Sequence, residues 1–479
     1  MASKTGIFTP FFALDLRRDN NRSTEGEDME INPLFIGQSL AAGTAINGTI
    51  LEVFSLSDVE VYAGKGSYLY AQMKTYFEKR STTRAFIGIL DDPTGTAATR
   101  TITISSVPTE SGDLNFRING ESFSVGVVTT DTVSTIATKI VTAIGSDGAI
   151  SGRAYRAGST DGVVTLTSEN VGEAVGVLNV SIMEDPTDRP IEGIAYTVSA
   201  LTSGTGAPDV QDVFDNIGDS HYYLMLSPYS DTSNITAAKA LLNVLGDEYN
   251  ARDGQYVTTV NDTVANLITL ATSTASKYIS FIDVYGWEDS TAKILGTLGR
   301  EVSVSVKDDI NKPLHNLPLT NRFGAYSGNE RIWEDRNTLA KFGIAGMDPE
   351  KITVESPVTT YTDTAEERRW ENMFNLAGLR ISFKNRILNT FPRAKLKVGD
   401  ELVAPGISII TIPLAEGVAS QWYSEKVFSA QTENQQYFDE NLVVEVTDVD
   451  TLTWSLPVTL VGQFVVGTGS LDYILGGNL

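Results

Sequence analysis

The chain contains no cysteine and only two histidines, His221 and His315. Without cysteine, disulfide frameworks, thiolate zinc sites, iron–sulfur clusters and cysteine nucleophiles are all excluded. Two histidines are too few for a multi-histidine metal cage, and no carboxylates follow the spacing of a calcium-binding loop. The sequence therefore predicts neither a metal site nor a cofactor of these kinds.

Positive charge is also scarce, with 36 Lys and Arg against 60 Asp and Glu, a net charge of −24. Nucleic acids and membrane surfaces attract positive charge, so we expect neither as a partner. The longest uncharged stretch, 451–471, alternates apolar and polar residues at its start (Leu452 and Trp454 against Thr451 and Thr453), which predicts a strand rather than a membrane span. The first residues, MASKTGIFTP, lack the order of a signal peptide, so we expect a soluble protein made in a cytoplasm.

Sequence motifs for catalysis are missing as well. Gly64-Lys65-Gly66 does not complete a phosphate loop, no G-x-G-x-x-G pattern occurs, and Gly37-Gln38-Ser39 is not followed by the glycine of a nucleophile elbow. Either histidine remains open as a base in principle, although a lone histidine without a motif is more often structural. We interpret the acid pairs 91–92 and 308–309 as solvated loop residues. The residues thus predict no catalytic site.

The length corresponds to about three domains at roughly 150 residues each. We predict an α/β core with a mostly parallel sheet, an inserted β-rich domain, and a C-terminal α+β domain with extended terminal arms. The predicted segments are an extended arm at 1–30, the core at 31–97 and 204–340, the inserted domain at 98–203, the C-terminal domain at 341–459, and a strand arm at 460–479.

Strand and helix patterns alternate along the predicted core. Short apolar runs separated by helical patterns indicate parallel strands covered by helices. The runs at 32–38 and 85–90 are assigned to the same sheet as later ones, so the segment 98–203 interrupts that sheet. The later strand candidates are 222–226, 256–260, 278–284 and 302–306, with a helix through 237–245.

The segment 98–203 is predicted to be a self-contained β-rich module. Asn119-Gly120 lies between two alternating runs and indicates a tight hairpin, because both residues tolerate positive φ. A helix is predicted over 134–144, and further strands begin at Val163 and Val177. The simplest interpretation is a plain insertion in a surface loop; no residue supports the alternative of a host-facing module.

The last third is predicted to be helical and then β-rich. A capping box at 364–367 precedes a helix whose core face carries Trp370 and Phe374, and which should end near Pro392. From Glu401 onward, alternating runs predict strands at 407–412, 441–446 and 451–458.

One local charge inversion stands out within this acidic chain. Between Ala377 and Gly399 there are six basic residues and no acidic one: Arg380, Lys384, Arg386, Arg393, Lys395 and Lys397. One interpretation is cations that complement the dipole at a helix C-terminus. The other is a docking patch for an acidic partner surface.

Several motifs resemble the tail sheath proteins of contractile bacteriophages, in the Mu-like branch. No single motif is specific, but their order covers most of 31–90 and 207–475. The matching segments are Leu34–Ser39, Tyr222–Asp231, Trp333–Leu339 with Gly343-Ile344, Val358–Tyr361, Leu379-Arg380, Phe391–Leu396 and Val461–Phe464.

The resemblance implies a non-enzymatic structural protein with a core of subtilisin-like topology, and a place in the virion. Sheath subunits form hexameric rings stacked around an inner tail tube, exchange terminal strands with neighbouring copies, and contract after a trigger from the baseplate; a tail terminator protein is a further partner. In this family setting the basic segment implies a tube contact by Arg380, Lys384, Arg386, Arg393 and Lys395. The alternatives are the sheath of a tailocin or of a secretion-type machine and, from the fold name alone, a subtilisin-like peptidase.

Overall fold

The structure is a computed structural model that describes residues 32–79, 84–184, 187–247, 250–285, 287–319, 341–344, 352–361, 368–399, 404, 406–448 and 450–463. The predicted arm at 1–30, the motif Trp333–Leu339, the capping box at 364–367 and residues 464–479 of the predicted strand arm lie outside these described residues.

Eleven helices and twenty strands follow one another in the described parts of the chain. The helices are α1 (Leu56–Ala63), α2 (Tyr68–Phe77), α3 (Val133–Ile144), α4 (Gly148–Ser151), α5 (Gln211–Phe214), α6 (Thr232–Leu245), α7 (Val264–Thr274), α8 (Thr291–Asp308), α9 (Trp370–Thr390), α10 (Ile412–Phe428) and α11 (Gln435–Asn441). The strands of the first half are β1 (Pro33–Gln38), β2 (Ile50–Val53), β3 (Ala85–Leu90), β4 (Ala97–Ser106), β5 (Gly112–Ile118), β6 (Glu121–Val127), β7 (Tyr155–Thr160), β8 (Val163–Val171), β9 (Val180–Ile182) and β10 (Ala195–Val198). Those of the second half are β11 (Leu224–Ser227), β12 (Gln255–Val260), β13 (Ile279–Asp283), β14 (Pro318–Leu319), β15 (Lys341–Ile344), β16 (Ile352–Ser356), β17 (Lys395–Leu396), β18 (Ile409–Ile410), β19 (Val443–Asp448) and β20 (Thr451–Ser455).

A six-stranded, mostly parallel sheet forms the core. Its strand order is β13-β12-β11-β1-β3-β2, and only β2 runs antiparallel to its neighbour. The prediction that β1 and β3 share a sheet with the later strands is confirmed. The mixed α/β character of the fold, with a mostly parallel sheet and several antiparallel ones, is confirmed with it.

Both faces of this sheet are covered by helices. Along β1, Phe35 joins one apolar cluster with α2 and α8, whereas Leu34 and Ile36 join another with α5, α6 and α7. All six residues of β1 are buried. A strand covered on two faces has a continuous apolar sequence, and β1 has one.

The strand predicted at Val302–Val306 is wrong, because these residues belong to α8. Their alternation of valine and serine resembles a half-buried strand. However, α8 is enclosed by α2 and the sheet on most sides, so Ser303 and Ser305 are buried together with Val302 and Val306. A helix that is buried on most sides has no exposed polar face, so its polar residues need not follow the 3.6-residue hydrophobic period that identifies a surface helix.

The residues of the predicted module, 98–203, build two antiparallel sheets and α3 around their own apolar cluster. The sheet orders are β10-β4-β8-β7 and β6-β5-β9. The predicted hairpin is present, with φ of 52° at Asn119 and 76° at Gly120. At the two ends of this segment, Thr96 pairs with Thr205 and Thr99 with Thr202, so the chain enters and leaves side by side.

The C-terminal region combines three helices with small sheets. As predicted, α9 ends just before Pro392; within the described residues it begins at Trp370, whose indole anchors the first turn in the core by donating to Ser280 Oγ at 2.7 Å. The strands predicted at 441–446 and 451–458 are present as β19 and β20, but the interpretation of the tail as strands alone is wrong, because α10 and α11 precede them. Thr411 caps α10 and Pro413 lies in its first turn, so the alternation at 407–412 gives only the short strand β18.

Candidate functional site

The carboxyl ends of the parallel strands are the usual place for a ligand in an α/β sheet. The chain passes from β1 to β3 on one side and later to β11 on the other side, so β1 and β11 flank the topological switch point. In this protein the inserted module reaches that point. Asn170, near the end of β8, is buried there against the end of β1.

The contacts of Asn170 join the module to the core. Its side-chain amide donates to the carbonyl oxygen of Ser39 and to Asp92 Oδ1, both at 2.8 Å, and its Oδ1 accepts from the backbone N–H of Tyr68 at 2.7 Å. The amide of Gln38 donates to Asp92 at 2.6 Å and to the backbone oxygen of Val171 at 2.7 Å. Side chains that form hydrogen bonds between the module and the core therefore lie at the switch point, where a ligand would bind in other α/β sheets.

Asp91 and Asp92 both lie exposed in a loop, as the sequence predicted, but Asp92 has a further role. Its carboxylate accepts from Gln38 and Asn170 at the junction. Burial of the carboxyl raises its pKa, and the hydrogen bonds from Asn170 and Gln38 oppose that rise. No sequence motif signals this role, because the partners lie 54 and 78 positions away.

Both histidines make backbone contacts in structural positions. His221 Nε2 lies 2.7 Å from the carbonyl oxygen of Asp253, and its ring stacks on Tyr223 at 4.0 Å between centroids. Burial lowers the pKa of His221. His315 Nδ1 lies 2.8 Å from the carbonyl oxygen of Glu355. A serine hydrolase needs an imidazole nitrogen aimed at its nucleophile, and the Nε2 of His221 is engaged with a carbonyl instead.

In the described parts of the chain, no group of three or more histidine or acidic side chains lies close enough to hold a metal ion. None of the helices within the same residues is both long and apolar enough to cross a bilayer.

The five tube-contact candidates do not form one uniform patch. Arg380 and Arg386 are engaged within the chain: Arg380 pairs with Asp253 at 3.0 Å, and Arg386 pairs with Glu425 of α10. Lys384, Arg393 and Lys395 are exposed, and none forms an ion pair with another described residue. These three residues are the part of the patch that is open to a partner.

Arg380 ties α9 to the core at the end of α6. Its guanidinium donates to the carbonyl oxygen of Gly246, at 3.0 Å, and to that of Asp247. Gly246 is the C-cap of α6, so the cation meets the negative end of the helix dipole as well as the Asp253 carboxylate. The charge of Arg380 therefore stabilises the contact between the core and α9 of the C-terminal region.

The segment 451–460 packs on its own chain. Trp454, Leu456, Val458 and Leu460 lie against a cluster that includes Trp422 of α10. The apolar face predicted from the alternation is thus partly covered within the subunit.

Exposed apolar side chains concentrate in the C-terminal region. Among the described residues, eight of the sixteen exposed large apolar side chains lie between 376 and 443: Leu376, Leu388, Val398, Ile407, Leu414, Phe428, Tyr437 and Val443. Exposed apolar residues that occur singly need no explanation, whereas a contiguous exposed apolar patch is typical of an interaction surface.

The comparisons with known proteins point to one class, the sheath subunits of contractile tails. The resemblance drawn from the sequence motifs is confirmed by a curated relative, the Mu-like prophage FluMu tail sheath protein of Haemophilus influenzae. The two sequences are 24% identical over 482 residues, which cover 95% of this chain and 96% of the relative. No family model matches the chain.

Solved structures of sheath proteins are similar to the chain as well. The sheath tail protein of Desulfitobacterium hafniense has 12% identity and a TM-score of 0.46, covering 95% of this chain and 97% of that one. The sheath complex of an extracellular contractile injection system (PVC) in its contracted state has 9% identity and a TM-score of 0.46, covering 97% and 98%.

Proposed function

We propose that the chain is the structural subunit of a contractile tail sheath. In this role it polymerises helically around an inner tail tube and contracts to drive the tube through a cell envelope. The observation that carries the proposal is the relationship to a tail sheath protein along nearly the whole length of both chains. The subunit works as a component of a virion or of a similar contractile machine, made in the host cytoplasm, and not as an enzyme.

The core supports this role as a rigid body. Helices cover both faces of the parallel sheet, an arrangement compatible with the subtilisin-like topology that the resemblance implies. The ligand position of such a sheet is occupied by the Asn170 junction. A closed core of this kind is suited to carrying force between neighbours and not to binding a substrate.

Assembly through exchanged strands is part of the proposal. The two-stranded sheets β17–β18 and β19–β20 have open edges within the described residues, and sheets of two strands are marginally stable alone. A neighbour's terminal segment can add to such an edge through main-chain hydrogen bonds. Each contact would be heterologous, so the assembly would grow as a helix.

Truncation tests this assembly. We expect purified full-length protein to form tubes by negative-stain electron microscopy, and more readily with its inner tube protein present. Variants lacking 1–20 or 464–479 should remain folded and monomeric but should not assemble. The second deletion spares 460–463, which contact the chain's own body through the Thr432–Leu460 bridge and Gln463. Sheaths formed by both variants would contradict strand exchange.

The tube contact is assigned to the exposed cations Lys384, Arg393 and Lys395. Ion pairs at such an interface weaken with salt and can separate during contraction more readily than an apolar seam. The triple variant with glutamate at these positions should lose co-sedimentation with tubes while still forming sheath polymers. Its control is Lys74→Glu, which reverses the charge of an exposed lysine on α2 of the core.

The same experiment distinguishes the tube from another copy of the chain. The segment 411–455 carries eight acidic residues and one basic residue, so it is a possible acidic partner for the cations. Loss of sheath polymers in the triple glutamate variant would reassign Lys384, Arg393 and Lys395 to a contact between copies. Unchanged tube binding over a salt series would remove them from the tube interface.

A further inference from the structure

Phe428, the last residue of α10, is almost entirely exposed. Its exposed fraction of 94% is the highest among the large apolar side chains of the described residues; Ile46, at 78%, and Phe54, at 76%, follow. An aromatic ring held in water at the end of a helix does not stabilise its own subunit. Buried against a partner, the same ring would supply a large contact area at a small cost in conformational entropy.

An apolar groove lies between α9 and the segment 456–458. It has a volume of about 330 Å³. Its apolar lining includes Leu376, Phe383, Trp422, Leu456 and Val458. An apolar cavity of about 150 Å³ accommodates benzene, so the groove has room for a phenyl ring.

The ring and the groove of one subunit point in different directions. Trp422, which lines the groove, and Phe428 are six residues apart on α10, which places them about 120° apart around the helix. Trp422 is buried against the body of the subunit, whereas Phe428 faces water. Phe428 therefore cannot fill the groove of its own copy without unfolding the end of α10.

Three charged side chains also line the groove: Asp253 and Arg380 pair with each other at 3.0 Å, which leaves Lys277. Lys277, at the rim of the groove, is exposed, with its ammonium 5.2 Å from the ring centroid of Tyr278. Five residues after Phe428 in the sequence, the acidic Glu433 is also exposed. A contact that buries Phe428 in the groove of another copy can therefore bring opposite charges together at its edge.

We infer that the groove receives Phe428 from a second copy of this chain. Because ring and groove are different surfaces, the contact is heterologous and repeats from copy to copy without closing. This inference rests on the proposed function and deepens it, since it names a side-chain contact of the polymer that needs no exchanged strand.

Engineered cysteines test the contact directly, since the chain has none of its own. The double variant Phe428→Cys with Leu376→Cys, oxidised after assembly, should give a ladder of covalent dimers, trimers and longer chains on a non-reducing gel. The matched control is Phe54→Cys with Leu376→Cys, which should give no ladder. Absence of a ladder from assembled Phe428→Cys/Leu376→Cys protein overturns the inference, as does a covalent dimer from Phe428→Cys alone, which would indicate a two-fold contact.

A second measurement separates this inference from the proposed function. Phe428→Glu should leave the monomer's melting temperature unchanged and raise the concentration needed for polymerisation at least tenfold, whereas Phe428→Leu should stay near wild type. If Phe428→Glu polymerises at the wild-type concentration, the groove contact is wrong and the sheath function stands. If wild-type protein never polymerises, with or without tubes, both fail.

Discussion

At the scale of single residues, His221 shows how burial turns an ionisable group into a packing element. The ring lies between Tyr223 and the chain at Asp253, and the hydrogen bond to the Asp253 carbonyl fixes it as a donor at Nε2. Desolvation disfavours the imidazolium and lowers the pKa of His221 below its usual 6.5. The folded protein therefore binds a proton at this site less readily than the unfolded chain does.

This difference makes stability depend on pH. The contribution of His221 is retained above pH 6.5 and is lost as the pH falls through the lowered pKa of the folded state, because the unfolded chain then binds more protons. His221→Gln keeps an N–H donor but does not titrate. We expect the free energy of unfolding of wild type, relative to this variant, to decrease from pH 7 to pH 5 in urea titrations.

The control for this pH dependence is His315→Gln. It leaves His221 in place, so the decrease assigned to His221 between pH 7 and pH 5 should still be present. The comparison concerns slopes and not absolute stabilities, because glutamine cannot replace the stacking of His221 on Tyr223. Parallel curves for wild type and His221→Gln would contradict the assignment.

At the scale of elements, α9 is the joint between the core and the C-terminal region. Its first turn is buried in the core through Trp370, its middle carries Arg380, and the exposed Lys384 follows one turn later. Arg380 and Lys384 are one helical turn apart, and the sequence alone gives both the same basic character. Their surroundings differ, however, because only Arg380 reaches the C-cap of α6 and Asp253.

This difference predicts opposite outcomes for two neighbouring substitutions. Arg380→Ala removes the partner of two backbone carbonyls and of Asp253, so we expect a loss of about 1–2 kcal/mol in the free energy of unfolding, reduced by its partial exposure. Lys384→Ala should change the same free energy by less than about 0.5 kcal/mol. Chemical denaturation of the two monomers measures both, and equal effects would contradict the role of Arg380 as the joint.

The elements that the sequence predicted correctly are those with one clear pattern. The uninterrupted apolar run of β1 and the Asn119-Gly120 turn each have one local interpretation, and both are present. In α8 and before α10 two signals conflicted. The alternation of valine and serine at Val302–Val306 predicted a strand, although these residues belong to a helix that is buried on most sides. The alternation at 407–412 likewise predicted a strand, although Thr411 is the N-cap of a helix.

The site residues show a different limit of sequence-based prediction. The positive segment 377–397 was visible in the sequence, but the separation of Arg380 and Arg386 from Lys384 was not. That separation depends on Asp253 and Glu425, which are distant in the chain and lie among many other acids. The Asn170 junction gave no signal at all, since an asparagine at a strand end is common and its partners Ser39, Tyr68 and Asp92 come from three separate segments.

At the scale of the whole molecule, the insertion at 98–203 has its own apolar core but also forms hydrogen bonds with the rest of the chain. Its residues pack around an apolar cluster of their own, and its two ends pair at Thr96–Thr205. It also reaches the core through Asn170 and through Asn179, whose amide donates to the carbonyl oxygen of Trp287 at 2.8 Å. The surfaces proposed for assembly lie elsewhere, in the C-terminal region.

These facts predict the behaviour of a chain without the module. Joining Thr96 to Thr205 through a short glycine-serine linker should give a folded core, because the two ends are already adjacent. The core should be less stable than wild type, since the partners of Asn170, including the N–H of Tyr68, lose their buried hydrogen bond. The variant should nevertheless still form tubes by negative-stain microscopy, because Lys384, Phe428 and the open strand edges are retained. A variant that melts cooperatively but never assembles would show that the module takes part in the contacts between copies, and the interpretation of 98–203 as a plain insertion would then be wrong.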